Sequence, residues 1–379
     1  MRKFDHVKTV VVKVGTNLLT CSSGIDTARI DSIVDQLSAL RDKGLQVLLV
    51  TSGAIGMGRR ELGITEAVTK IEMRQACAAI GQPILMSSYR SSFARHGIVC
   101  SQVLLTRDEM NNRRTYVNLR NSVNTLLELG VVPVFNENDV ISTREIGTTF
   151  GDNDQMAALI ASKIDAQLLI ILSDIPGLFT ADPRRDPGAR LLTTVGKIDR
   201  SVLAYAGGAG SRLGTGGMKS KLAAAQIAGR AGCGCIIASG YEDNALPRIL
   251  AGEEIGTWIV PETHLSQRQR WIMNNTHKGS ILVDDGAKKA LLKHKSLLPK
   301  GVVRVEGIFD RGDVVHISDK EGTPFAKAVV YYSSTQIAMV AGKDSRDLAG
   351  ILGEGYKDVL FRPDDIVFTE PADTEGREG

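Results

Sequence analysis

Five short, almost wholly apolar runs constrain this chain most: KTVVVKV at 8–14, LQVLLVT at 45–51, VVPVF at 131–135, QLLIILS at 167–173 and GCIIAS at 234–239. None alternates apolar with polar, so each reads as a strand buried on both faces. Helical stretches separate them. Asp26 opens one with Ile30, Ile33, Val34, Leu37 and Leu40 at helical spacing, and Gly44 stops it. Others span about 110–129 and 218–231. Strand, helix, strand, glycine-rich turn, helix is the rhythm of an α/β domain, an open, mostly parallel sheet sandwiched by helices. That domain is expected over residues 1–260.

Beyond it the rhythm changes. A polar stretch, 261–274, reads as a linker, and the short runs SILVD, VVRVEG, DVVHISD, FAKAVVYY and KDVLF follow at close intervals. Only two helical patterns interrupt them, at Asp285 to Lys293 and Ser334 to Val340. A small mostly-β barrel is expected over 275–369, followed by a charged, disordered tail at 370–379.

Composition excludes little but bounds the setting. A formal charge of +3 over 379 residues neither demands nor excludes a nucleic-acid partner. Cys21, Cys77, Cys100, Cys233 and Cys235 are scattered and show no paired zinc spacing, as expected of reduced core thiols. No apolar run approaches membrane-spanning length, and a cytoplasmic protein is the expectation.

Polar residues gather at the ends of the apolar runs. Asn136 to Ala158 holds Asn136, Glu137, Asn138, Asp139, Glu145, Asp152, Asn153 and Asp154 in one window. Cation ligands, helix caps and the grip on a small polar molecule all suit such residues. Lys13 closes the run VVVK at a strand's carboxyl end, where open α/β sheets bind ligands. A buried ammonium there needs an anionic partner, whereas an edge position would let it snorkel to water. GTGGMKSK at 214–221 is not a Walker A loop, because Met218 stands where that motif needs glycine. It is still a glycine-rich turn feeding a helix with Lys219 and Lys221 in its first turn. It reads as an anion site or as a flexible loop with two solvated lysines. SDIPGLFTADPRRDP, from Ser173, is a strand end with turn chemistry.

VVVKVGTN, TSGAIGMGRREL, VFNENDVIS, FGDNDQMAALIA, LSDIPGLFTADPR and LGTGGMKSKLAAA together resemble the amino acid kinase family. LLPKGVVRVEGIFDRGDVVHISD and YKDVLFRPDDIVF resemble a PUA domain. The resemblance covers nearly the whole chain, and NEND, GDND and GTGGMKSK in this order are its most selective parts. It implies the branch of the family that phosphorylates the side-chain carboxylate of L-glutamate, the first step of proline biosynthesis. Lys13, Lys221 and Asp152 are then catalytic, with Asp152 aligning the two lysines. Ser52, Asp139 and Asn153 bind the amino acid. Lys13, Ser173, Asp174, Thr215, Gly216, Gly217, Met218, Lys219, Ser220 and Lys221 bind ATP, and Mg²⁺ is held mainly by phosphates and water. A carboxylate acceptor needs no general base at neutral pH, and all six histidines lie outside these clusters. The resemblance also implies feedback by proline, hand-off of a labile acyl phosphate to glutamyl phosphate reductase, and a homo-oligomer.

The residues also admit two rival readings. One is another member of the family, acting on aspartate or acetylglutamate. The other is an RNA-associated role for the PUA-like segment, where Lys288, Lys289, Lys293, Lys295 and Lys300 form a basic patch or a solvated helix face.

Overall fold

The computed structural model describes residues 2–21, 24–106, 109–110, 113–141, 152–183, 185–206, 217–261, 267–344, 346, 348–353 and 359–369. Contacts divide the chain into two units, Met1–His264 and Leu265–Gly379.

In the first unit eight strands form one sheet: β1 (Thr9–Val14), β2 (Gln46–Val50), β3 (Cys100–Leu105), β4 (Val132–Glu137), β5 (Leu168–Ser173), β6 (Thr194–Val195), β7 (Gly234–Ser239) and β8 (Thr257–Ile259). Their order is β3-β4-β2-β1-β5-β7-β8-β6. The pairings from β3 through β7 are all parallel, and β8 runs antiparallel to β7. All five apolar runs are strands. The edge strand β3 escaped the pattern because CSQVLL is only partly covered and its sequence is correspondingly mixed.

Six principal helices cover the sheet: α1 (Thr27–Asp42), α2 (Ala54–Glu61), α3 (Ile71–Ala94), α4 (Arg113–Glu128), α5 (Asp152–Lys163) and α6 (Met218–Arg230). The Asp26 carboxylate accepts from the Arg29 N–H at 2.8 Å and caps α1; Gly44, at φ 82°, ends that turn in a conformation that favours glycine.

Strand periodicity splits β1 between two cores. Val10, Val12 and Val14 pack with α1 and α3, while Val11 faces the α5 and α6 side. Lys13 shares the face of Val11. Ala157, Ala158 and Ala161 of α5 lie in one core with Ala224, Ala225 and Ala228 of α6, and such small residues let the two helices approach closely.

Helices α2 and α3 interlock through glycines. A Cβ on Gly58 would stand 1.8 Å from the Cys77 carbonyl oxygen, and one on Gly81 would stand 1.8 Å from the Ala54 carbonyl oxygen. Each helix thus sets bare backbone against the other's carbonyl.

In the second unit, β9 (Gly279–Val283), β10 (Val302–Gly307), β11 (Val314–Ser318), β12 (Pro324–Val329) and β13 (Ile366–Phe368) form a five-stranded sheet in the order β10-β9-β11-β12-β13. Helices occupy Asp285–Leu292 and Ser334–Val340, where the apolar spacing placed them, the second opened by a Ser333/Gln336 capping box. Two stretches differ from expectation. Gln267–Asn274, expected within a linker, is a helix anchored by the buried Trp271 and Ile272. The last described strand is Ile366–Phe368; of KDVLF the described part is Val359–Phe361, where Phe361 makes an isolated bridge to Leu297, and a helical turn at Pro363–Asp365 separates it from β13. In the basic stretch, Lys288 Nζ lies 3.0 Å from an Asp319 carboxylate oxygen, so that charge is partly neutralised. The tail from residue 370 lies outside the described residues. No helix among them is long and apolar enough to cross a membrane.

Substituting Gly58→Ala should therefore force α2 and α3 apart. A loss of about 3 kcal/mol, at the upper end of overpacking costs, is expected from the midpoint of urea unfolding with an unchanged slope.

Candidate active site

The polar clusters converge on one edge of the first unit's sheet, at the carboxyl ends of its parallel strands. Lys13 stands at the end of β1, Ser52 just past β2, Asp139 in the turn after β4, and Ser173 at the end of β5. Because β4, β2, β1 and β5 are neighbours in that order, these residues follow one another across the sheet. At about 4.8 Å per strand the row spans roughly 14 Å. The chain builds outward to β3 on one side of β1 and to β5 and β7 on the other, so β1 and β5 flank the point where an open sheet leaves a crevice. The first turns of α5 and α6 overhang this edge.

At this switch point lies a buried ion cluster. Lys13 Nζ lies 2.7 Å from Asp154 Oδ1, and Lys221 Nζ donates to Asp154 Oδ2 at 3.1 Å. All three are buried; Asp154 is 0% exposed and each lysine 4%. Burial opposes the charge on Asp154, but the two ammonium groups outweigh it and hold its carboxyl below the usual carboxylate range. Gly217 precedes α6, and Lys221 follows one turn later, beside N–H groups that have no partner within the helix. Gly15 lies beside this cluster: a Cβ there would stand 3.8 Å from Lys13 Nζ, in ordinary van der Waals contact.

On the β2 and β4 side the groups are amides and hydroxyls. Asn153 Nδ2 donates to the Thr51 carbonyl oxygen and, at 2.8 Å, to Asn136 Oδ1. Both bonds use the amide nitrogen, whereas capping a helix would use Oδ1. Ser52 Oγ donates to the Val14 carbonyl oxygen at 3.0 Å and accepts from Thr16 Oγ1 at 3.1 Å. Gly53, at φ 104°, turns the chain into α2, whose first N–H groups have no partner within the helix.

On the β5 side, Ser173 Oγ donates to Asp174 Oδ1 at 3.0 Å, and Asn17 Nδ2 donates to Asp174 Oδ2 at 2.9 Å. Partial burial works against the Asp174 charge, yet these hydrogen bonds hold its carboxyl below the ordinary value. Lys219 is exposed, and Gly217, Met218 and Ser220 line the start of α6. Thr215 and Gly216 lie outside the described residues. Among the described residues no group of three or more His, Cys, Asp or Glu side chains could hold a metal ion.

The amino acid kinase family matches residues 8–239, and the PUA domain matches residues 279–352. The chain belongs to the amino acid kinase family. It is 46% identical to a glutamate 5-kinase of Methanosarcina barkeri, across 94% of this chain and 95% of the relative. It is 43% identical to a glutamate 5-kinase of Syntrophotalea carbinolica, across 97% and 99%. The first unit therefore carries a kinase fold, and the second a PUA domain.

One residue differs from what the resemblance implied. The carboxylate between Lys13 and Lys221 is Asp154, whereas the resemblance assigned that task to Asp152, whose side chain lies outside the described ones. GDND offers two aspartates two positions apart, about 200° around a helix. Which one meets the lysines depends on how α5 is rotated over β1, and a motif does not contain that rotation. Asn17 and Thr16 were also missed, and Asn136 was noted only as one member of the polar window. They lie inside the recognised segments, but nothing in their spacing distinguishes them from turn residues.

Replacing Asp154 with Asn leaves two buried ammonium groups without their shared carboxylate, a change that costs about 3–5 kcal/mol when one partner of a buried pair is removed. The carboxyl's lowered folded pKa means that its contribution is fully present above about pH 4, the unfolded value, and is lost as pH falls through the folded one. Denaturation of both proteins from pH 7 downward should show the stability gap close only below about pH 4.

Proposed function

We propose that the protein transfers the γ-phosphoryl of ATP to the side-chain carboxylate of L-glutamate, giving the acyl phosphate that begins proline biosynthesis. The observation that carries this reading is the meeting of Lys13 and Lys221, distant in the chain, on one buried carboxylate between the Asn153 and Asn136 amides and the α6 amino terminus. The identity to named glutamate 5-kinases over nearly the whole chain supports glutamate over the shorter aspartate and over acetylglutamate.

The strand order supplies a division of labour. The acceptor sits on the β2 and β4 side, where Asp139 and the Asn153 amide carbonyl suit an ammonium, and Ser52 with the first N–H groups of α2 suits a carboxylate. The nucleotide sits on the β5 side, along Ser173, Asp174 and Gly217 to Lys221, with Thr215 and Gly216 extending the same segment. Transfer occurs over β1. Lys13 and Lys221 neutralise charge on the β- and γ-phosphates, and Asp154 keeps both ammonium groups aimed at one point before the nucleotide arrives. Mg²⁺ would be held mainly by the nucleotide's phosphates and water, and when bound it would supply further charge neutralisation. The acceptor carboxylate is already ionised, so no side chain has to remove a proton.

An ADP-release assay across glutamate, aspartate, acetylglutamate and UMP, with and without proline, tests the substrate; turnover fastest with aspartate would overturn the assignment. For the mechanism, Lys221→Ala should lower kcat by about a hundredfold or more while changing the glutamate KM little. A near-normal kcat would remove Lys221 from the chemistry.

A further inference from the structure

Behind the amino-acid side of the crevice runs a relay of buried amides whose far end, on α3, belongs to none of the recognised motifs. Asn153 Nδ2 donates to the Thr51 carbonyl oxygen and to Asn136 Oδ1, the latter at 2.8 Å; Asn136 Nδ2 donates in turn to Gln82 Oε1 at 2.7 Å. Asn136 is 2% exposed and Gln82 8%. We propose that Gln82 is a positioning residue for amino-acid selection, holding the Asn153 amide, through Asn136, with its carbonyl available to the substrate ammonium. The proposal rests on the reading of this pocket as the glutamate site.

A backbone carbonyl can only accept, so Thr51 dictates which end of the Asn153 amide faces it. With both Nδ2 hydrogens used inward, only Oδ1 remains for a ligand, and an oxygen suits an ammonium and repels a carboxylate. Nothing intrinsic to Asn136 keeps its oxygen towards Asn153, however. Reversed, it would present a second NH2 there and drive the Asn153 amide to turn over. The Gln82 oxygen prevents that by accepting from Asn136 on the opposite side.

Two further observations single out Gln82. Its Nε2 is buried with no hydrogen-bond partner among the described residues, an arrangement that disfavours the fold relative to an apolar side chain of similar shape. Its neighbour Gly81 presses directly on the Ala54 carbonyl oxygen, so the glycine lock between α2 and α3 sets where Gln82 stands. Thr51 is tied to the same helix, its hydroxyl lying 2.9 Å from the Tyr89 hydroxyl.

The test compares wild type with Gln82→Met, Gln82→Leu and Gln82→Glu in the full chain. The Met and Leu proteins should melt at or above the wild-type temperature, yet show a glutamate KM raised about tenfold, the worth of one hydrogen bond to a charged group. Their kcat and ATP KM should stay within about twofold, a change too small to reflect a lost interaction. Glutarate, the same diacid without the ammonium, should inhibit all the variants and wild type equally. Gln82→Glu, which keeps an oxygen towards Asn136, should retain most of the glutamate affinity. An unchanged glutamate KM in folded Gln82→Met, or a parallel loss of glutarate binding, overturns the proposal. Failure of both apolar variants to fold would assign Gln82 to the fold and overturn it as well. Wild type that turns over no glutamate would instead bring down the substrate reading, before any Gln82 variant is compared.

Discussion

Two ammonium groups share one buried carboxylate, and much of the first unit is arranged around that fact. Lys13 arrives on a fully buried central strand, Asp154 on the first turn of α5 and Lys221 on the first turn of α6. None could be buried alone without a penalty of several kcal/mol per ion. Together they are compatible with the interior, because each oxygen of Asp154 meets one lysine. The alternation of β1 puts Lys13 on the face that α5 and α6 cover, and the alanines between those helices bring their first turns close enough to meet.

The same arrangement suits phosphoryl transfer, where positioning and electrostatics carry most of the catalysis. A cluster assembled and desolvated in advance does not have to reorganise when a triphosphate arrives. The parallel sheet contributes direction: its carboxyl ends lie on one edge, and consecutive strands place Asp139, Ser52, Lys13 and Ser173 in sequence. On the proposed reading, the switch point of the topology separates two substrates that must meet end to end. The proposed amide relay extends the same logic, since the orientation of the Asn153 amide is tied to a chain of donors and acceptors ending on a backbone carbonyl.

Much of this was legible from residues alone. The five apolar runs became strands because sheets covered on both faces need uninterrupted apolar sequence, and α1, α4 and α6 followed from helical spacing, with Asp26 and Gly44 marking the ends of α1. The edge strand β3 was not legible, since partial exposure dilutes the pattern, and neither was the helix at Gln267–Asn274, where a polar surface hides two anchoring residues.

At the site the division is sharper. Residue type and position along the chain determined by themselves that Lys13 and Lys221 would stand at a strand end and a helix start, and that a dense group of short polar side chains would lie near them. Only the tertiary structure decided that Asp154 is the carboxylate they share, and that Asn153 turns its amide hydrogens inward towards Thr51 and Asn136. Local sequence sets what an element is and which faces it has. The rotation of one element against another arises from packing across the whole core, and no short motif encodes it.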